Sequence, residues 1–130
     1  MKEKIIDGFN NDKGFIKNNG FKLIELDENI AKVEYEVKTD GLNSINIVHG
    51  GVLFGLCDTT AGCLACMSGY FPVTVNSSIN YVNPAIKGKL TAVAKIVKSG
   101  FIFGVYSVDV YDEKNRIICT SNITMYYKKD

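Results

Sequence analysis

The 46 residues from Gly41 to Ile86 carry a single charged side chain, Asp58, whereas the 40 residues before them carry 16 and the 44 after them carry 12. Ionised groups resist burial unless they are paired, so this partition assigns the inside of the molecule to the middle of the chain and the wet surface to its flanks. Within the middle, Gly50–Tyr70 is apolar, free of proline and of helical length, and it ends at Gly69 and Pro72. The pattern predicts one long buried helix with the rest of the chain folded around it.

The flanks read as strands. Phe21–Leu26 and Ile30–Lys38 are joined at Asp27-Glu28-Asn29, and the second run alternates Val33, Tyr35 and Val37 against Lys32, Glu34, Glu36 and Lys38. Such alternation gives one buried and one solvated face, as antiparallel sheets permit. Val73–Val82, Leu90–Lys98 and Ile102–Tyr111 follow the helix, and a last run spans Arg116 to Lys128. Residues 1–20, broken by Gly8, Gly14 and two Asn-Asn pairs, are expected to be loosely structured or to hold one short amphipathic helix through Ile5, Ile6 and Phe9. Residues 1–130 show no repeat, linker or low-complexity tract and read as one α+β domain of a size that can bury a single core.

A wheel drawn over the central helix separates two faces. Around Asp58 lie Gly51, Phe54, Gly55, Ala61, Gly62, Ala65 and Gly69, and opposite lie Val52, Leu53, Leu56, Cys63, Leu64 and Met67. An internal glycine costs a helix roughly 1 kcal/mol against alanine, which is tolerable where something must approach the backbone closely. The bulky face is expected on the sheet. The small face admits a second chain, a ligand or a tightly packed neighbouring strand, and only the first two supply a reason for a carboxylate there.

Asp58 is therefore the candidate general base or nucleophile. Gly50 and Gly51 open the same helix, where backbone N–H groups lack helical partners and, helped by the dipole, suit a developing oxyanion. About 10 Å of helix axis separates the two features, too far for both to act on one carbonyl within one chain. A two-fold dimer would bring the helix start of one copy to the Asp58 of the other. The single histidine, His49, is open to a structural, acid–base or substrate-contact role. Cys57, Cys63, Cys66 and Cys119 are expected as buried core thiols, and no metal site or cofactor is expected.

The run from Asn43 through His49-Gly50-Gly51 to Asp58 resembles the N-x-x-x-x-x-H-G-G-x-x-x-x-x-x-D signature of hotdog-fold acyl-CoA thioesterases of the phenylacetate-degradation (PaaI-like) type. Downstream, Tyr81-Val-Asn-Pro84-Ala85-Ile-Lys-Gly88 is similar to that family's Y-x-x-P-A-x-x-G turn, and element order agrees from about Phe21 to Lys128. The resemblance implies a hotdog fold, an antiparallel sheet wrapped around one long central helix, and hydrolysis of an acyl- or aryl-CoA thioester. It implies that Asp58 activates water or attacks the carbonyl, that the Gly50 N–H polarises the thioester oxygen with help from the Asn43 amide, and that Thr74 holds the attacking water. His49 would shape the loop beside the carbonyl. The site would be shared across a homodimer, commonly assembled into a homotetramer. Substrate contacts are expected from Gly51, Phe54 and Tyr81, with Tyr70 and Phe71 lining the acyl pocket, and from Lys87, Lys89 and Lys98 toward the phosphates of coenzyme A. Two departures from the family stand out. Asn46 occupies a position often held by glycine, and Phe101-Ile102-Phe103 follows Gly100 where a basic or polar residue is common.

The 15 basic and 14 acidic residues nearly cancel, which gives no field to gather nucleic acid or an acidic membrane. No run of 18 apolar residues and no leader-type start is read in the sequence, so a cytoplasmic chain acting on a small molecule is expected. Two other functions compete. A non-catalytic acyl-CoA-binding protein would bind the ester and release no thiol, and an acyl-thioester dehydratase or hydratase would turn over an enoyl ester without releasing thiol.

Overall fold

In the computed structural model, which describes residues 1–129, two N-terminal helices, α1 (Lys2–Asn10) and α2 (Phe15–Asn19), precede β1 (Lys22–Leu26) and β2 (Ile30–Glu36). The long helix α3 (Gly50–Ala65) follows a loop and continues into a 3-10 turn at Cys66–Ser68. Four strands complete the chain: β3 (Phe71–Tyr81), β4 (Lys89–Ser99), β5 (Phe103–Tyr111) and β6 (Ile117–Lys128). With β1 and β2 they form one antiparallel six-stranded sheet in the order β1-β2-β4-β5-β6-β3. The sheet wraps the central helix, as the resemblance implies.

The register explains how the helix sits so deep. Ala31 pairs with Ala94 and Val33 with Ala92 between β2 and β4, and all four side chains are fully buried. These short side chains let α3 approach the sheet, and Leu53, Leu56, Cys57, Thr60 and Leu64 fill the concavity. The far side of the cup is closed by larger groups, Tyr106, Val108 and Val110 on β5 and Ile123, Met125 and Tyr127 on β6. Close packing of this kind makes each volume change in the core costly.

Three expectations change. The sequence shows no unbroken apolar run of membrane-spanning length, yet Gly50–Ser68 forms a 19-residue helix of mean hydropathy 1.4, long and apolar enough to cross a membrane by those criteria alone. Its composition reflects enclosure by the sheet, which buries Leu53, Leu56 and Leu64. Of the two readings of residues 1–20, the short helix through Ile5, Ile6 and Phe9 is present as α1, and what the sequence did not show is a second helix: Asp12 Oδ2 accepts from the N–H groups of Gly14 (2.9 Å) and Ile16 (3.1 Å) at the start of α2, and Gly20 ends that helix at φ 69°. Phe9 enters the core, and the Phe15 ring lies over Gly55, where a Cβ would come within 2.6 Å of it. Finally, Pro72 lies inside β3 instead of before it, which is tolerable because β3 is an edge strand with one side free of ladder bonds.

Candidate active site

The helix start is built by its own loop. Asn43 Oδ1 accepts from the N–H groups of Ile45 (3.0 Å) and Ile47 (3.2 Å), which leaves the Asn43 amide NH2 as the free donor of that side chain. Asn46 adopts φ 63°, in the left-handed region that asparagine tolerates better than most side chains. The loop thus keeps a glycine-type turn without glycine. His49 is the N-cap: its Nδ1 accepts from the Gly51 N–H at 2.7 Å, so in the neutral ring the proton sits on Nε2.

The Gly50 peptide is clamped on one side and open on the other. Its carbonyl accepts from the Tyr81 hydroxyl at 3.0 Å, and a Cβ on Gly50 would stand 3.1 Å from the tyrosine ring. Among the described residues nothing accepts from the Gly50 N–H. Asn43, Gly50, Tyr81 and Pro84 line a groove of about 390 Å³, and both unused donors belong to residues of this groove.

Asp58 and Thr74 form a second group. The Thr74 hydroxyl donates to Asp58 Oδ1 at 2.6 Å, a charge-assisted bond. Its oxygen also lies 3.3 Å from Met125 Sδ. The β3–β6 register slips between Thr74 and Asn76, and a bulge of this kind re-aims side chains. Among the described residues no cation pairs with Asp58 and no second donor reaches its carboxylate. The half-buried carboxylate stands on the side of α3 that the sheet leaves uncovered, together with the exposed Gly51 and Phe54.

One chain therefore carries two candidate groups along α3, Asn43, His49, Gly50, Gly51 and Tyr81 around its start and Asp58 with Thr74 of β3 two turns later. Other candidates stand apart. Tyr70 packs against Phe101 and Tyr127 beneath the Lys129 ammonium, which lies 4.2 Å from the Tyr70 ring centre. Lys89 pairs with Glu34 at 3.8 Å, and Lys98 is exposed on β4. Lys87 shares a surface groove with Lys114 and Arg116. Arg116, the one arginine of the chain, was not singled out in the sequence; it reaches this groove through its bond to the Pro84 carbonyl at 3.2 Å. Cys57 and Cys119 meet in the core with sulfurs 3.8 Å apart, and burial pushes the Cys63 thiol up to about 12. Both facts fit packing thiols.

A sequence model of the Thioesterase superfamily matches residues 45–119. Acyl-coenzyme A thioesterase PaaI of Escherichia coli K12 is 34% identical over 101 residues, which cover 76% of this chain and 71% of that protein. The structure of the E. coli PaaI protein superposes with a TM-score of 0.93 over 98% of this chain and 94% of that one, at 24% identity, a likeness of fold. A hypothetical thioesterase of Streptococcus pneumoniae TIGR4, solved with coenzyme A, superposes with a TM-score of 0.81 at 29% identity, over 85% of this chain and 87% of that one. Alanine variants of that streptococcal protein replace an aspartate in one structure and a threonine 16 positions later in another.

Proposed function

The chain belongs to the thioesterase superfamily and is a thioester hydrolase, and we propose that it cleaves acyl-CoA with Asp58 as the catalytic carboxylate at the interface of a two-fold dimer. The observation that carries this reading is the 2.6 Å bond from Thr74 to Asp58 Oδ1. It orients the carboxylate and leaves Oδ2 to accept a proton from water. The separation of Asp58 and Thr74, 16 positions, equals that of the aspartate and threonine replaced in the streptococcal relative.

In the proposed reaction, water loses its proton to Asp58 as its oxygen bonds to the thioester carbon. Negative charge grows on the carbonyl oxygen, where the Gly50 N–H and the Asn43 amide of a second copy donate to it. The carbon–sulfur bond then breaks, and the proton on Asp58 passes to the departing coenzyme A sulfur, giving free acid and free thiol. The chemistry uses protein groups and water alone. His49 holds the loop through its cap on Gly51, and Tyr81 fixes the Gly50 peptide.

The dimer is supported by β3. Among the described residues this 11-residue edge strand pairs with β6 alone and exposes Phe71, Val73, Val75 and Tyr81, with Phe71 61% exposed. A long, apolar, unprotected edge is a liability for a lone chain, and antiparallel pairing with the β3 of a second copy removes it. That pairing sets two α3 helices side by side, which is the arrangement the two candidate groups need. Coenzyme A phosphates are assigned to the groove of Lys87, Lys114 and Arg116, which shares Ala85 with the Asn43–Gly50 groove. The four free thiols fit the reducing cytoplasm.

A thiol-release screen of acyl- and aryl-CoA esters tests the reading, with sedimentation velocity reporting assembly. General-base catalysis contributes about 10²- to 10⁴-fold, so Asp58→Asn is expected to lose kcat by that factor while remaining folded and dimeric. Turnover by Asp58→Asn within a few-fold of wild type would overturn the assignment.

A further inference from the structure

We propose that Arg116, aimed by Asp112, is a positioning residue that holds the Gly50 N–H in place from the far side of the Pro84 turn; the inference rests on the reading of Gly50 as oxyanion donor. A short series of bonds joins the two. The Val48 N–H, two residues before Gly50, donates to the Ala85 carbonyl at 2.8 Å. Ala85 belongs to the connection 82–88 between β3 and β4, outside both strands. The near half of that connection is anchored on the start of β6. Ile118 O accepts from the N–H groups of Val82 (2.8 Å) and Asn83 (3.1 Å), Ile117 O accepts from the Asn83 amide at 2.8 Å, and the Arg116 guanidinium donates to Pro84 O at 3.2 Å. Proline has no N–H, so the carbonyl is the one backbone group by which Pro84 can be hydrogen-bonded. The carbonyls of Pro84 and Ala85 are consecutive. Arg116 therefore fixes the peptide next to the one that receives Val48.

Asp112 gives the guanidinium its direction. Its Oδ2 accepts from Arg116 Nε at 3.1 Å, and its Oδ1 accepts from the N–H groups of Arg116 (2.8 Å) and Lys114 (3.0 Å). With Nε committed to Asp112, the planar fork presents Nη2 to the Pro84 carbonyl, a geometry that the point-like ammonium of lysine does not supply. The chain has one arginine among its 15 basic residues, and it stands where a fork is needed. The Arg116 side chain is 54% exposed, and an exposed ion pair adds little to folding stability, so variants of the pair are expected to fold. Catalysis is more sensitive than stability to such a contact, because a misplacement of about 1 Å can cost on the order of 10²-fold in rate.

The test is thiol release from acyl-CoA by Arg116→Lys and Asp112→Asn, each assayed below its Tm. The first keeps the cation and loses the fork; the second keeps the arginine and loses its aim. Both are expected to lower kcat about 5- to 20-fold with KM within about twofold of wild type, the pattern of a contact that matters only in the transition state. The same loss is expected on the acyl-pantetheine ester, which carries no phosphate. In an amide proton–nitrogen correlation spectrum, the Val48 and Gly50 signals are expected to shift in both variants while that of Val108 in the β5 core stays, which separates displacement from partial unfolding. Unmoved Val48 and Gly50 signals would overturn the inference. So would a loss confined to acyl-CoA and absent from the pantetheine ester, the mark of a phosphate contact alone. Shifted signals with unchanged kcat would keep the link and refute Gly50 as the oxyanion donor instead. If the wild-type protein released no thiol from any ester, the hydrolase reading would fail, and the two amide signals would still decide the link, shifted supporting it and unmoved overturning it.

Discussion

Replacing Thr74 by valine removes one hydroxyl and keeps a β-branched side chain of similar shape on an edge strand that favours such residues. Among the described residues the Asp58 carboxylate then has no protein donor, because the Thr74 hydroxyl is the one group bonded to it. A hydrogen bond to a charged acceptor is worth about 1.5–3 kcal/mol, and each 1.36 kcal/mol is tenfold in rate. The full range would lower kcat by about 13- to 160-fold. Asp58 is half-buried and Thr74 exposed in one chain, and water replaces part of the lost bond, so about 10- to 50-fold is expected. The assay is thiol release under saturating acyl-CoA, run on Thr74→Val, Asp58→Asn and the double variant. Residues that act through one bond are strongly non-additive, so the double variant is expected within about threefold of Asp58→Asn alone. Two results would refute the reasoning: Thr74→Val within twofold of wild type, or a double variant whose loss is the product of the two single losses.

Two further outcomes concern the scaffold. Gly104 lies buried on β5 where an added Cβ would stand 2.0 Å from the Tyr127 hydroxyl and 2.9 Å from the Tyr106 ring. Those two buried tyrosines are bonded to each other, so Gly104→Ala is expected to destabilise by about 1–3 kcal/mol through overpacking, read as a fall of several degrees in Tm; an unchanged Tm would show that the pair can shift freely. At the β5–β6 turn, the Arg116 backbone N–H, the Lys114 N–H and the Arg116 guanidinium hold the Asp112 carboxyl below its ordinary 3.8. A lowered folded-state value stabilises the fold above 3.8 and loses that contribution as pH falls through the lowered value. The Tm gap between wild type and Asp112→Asn is therefore expected to be widest near neutrality and to close below about pH 3.8, and a gap independent of pH would contradict this cause.

Much of the site was legible because its residues are local. Asn43, His49, Gly50 and Asp58 lie within one loop and the helix that follows it, so spacing alone places them on known turns. What was illegible depends on contacts across the chain. Tyr70, expected in the acyl pocket, is taken up by Phe101, Tyr127 and Lys129, which lie more than thirty residues away. Lys89 is paired with Glu34 on a neighbouring strand. Gly55, read as room for a partner or ligand, is covered by Phe15 of the same chain. The Phe15 contact with Gly55, made by the short helix α2, leaves no periodic signal in its own glycine-broken segment.

By itself the sequence determined the central helix, its apolar enclosure and the single carboxylate on its small-residue face, because charge partition and periodicity are local consequences of what burial allows. Tertiary structure decided three other matters. It brought Thr74 to 2.6 Å from Asp58, left β3 as a bare edge, and laid the Phe15 ring over Gly55 of α3. Each of these depends on strand order or on packing between distant segments. Strand order follows from which faces can be buried together, and no window of adjacent residues contains that information.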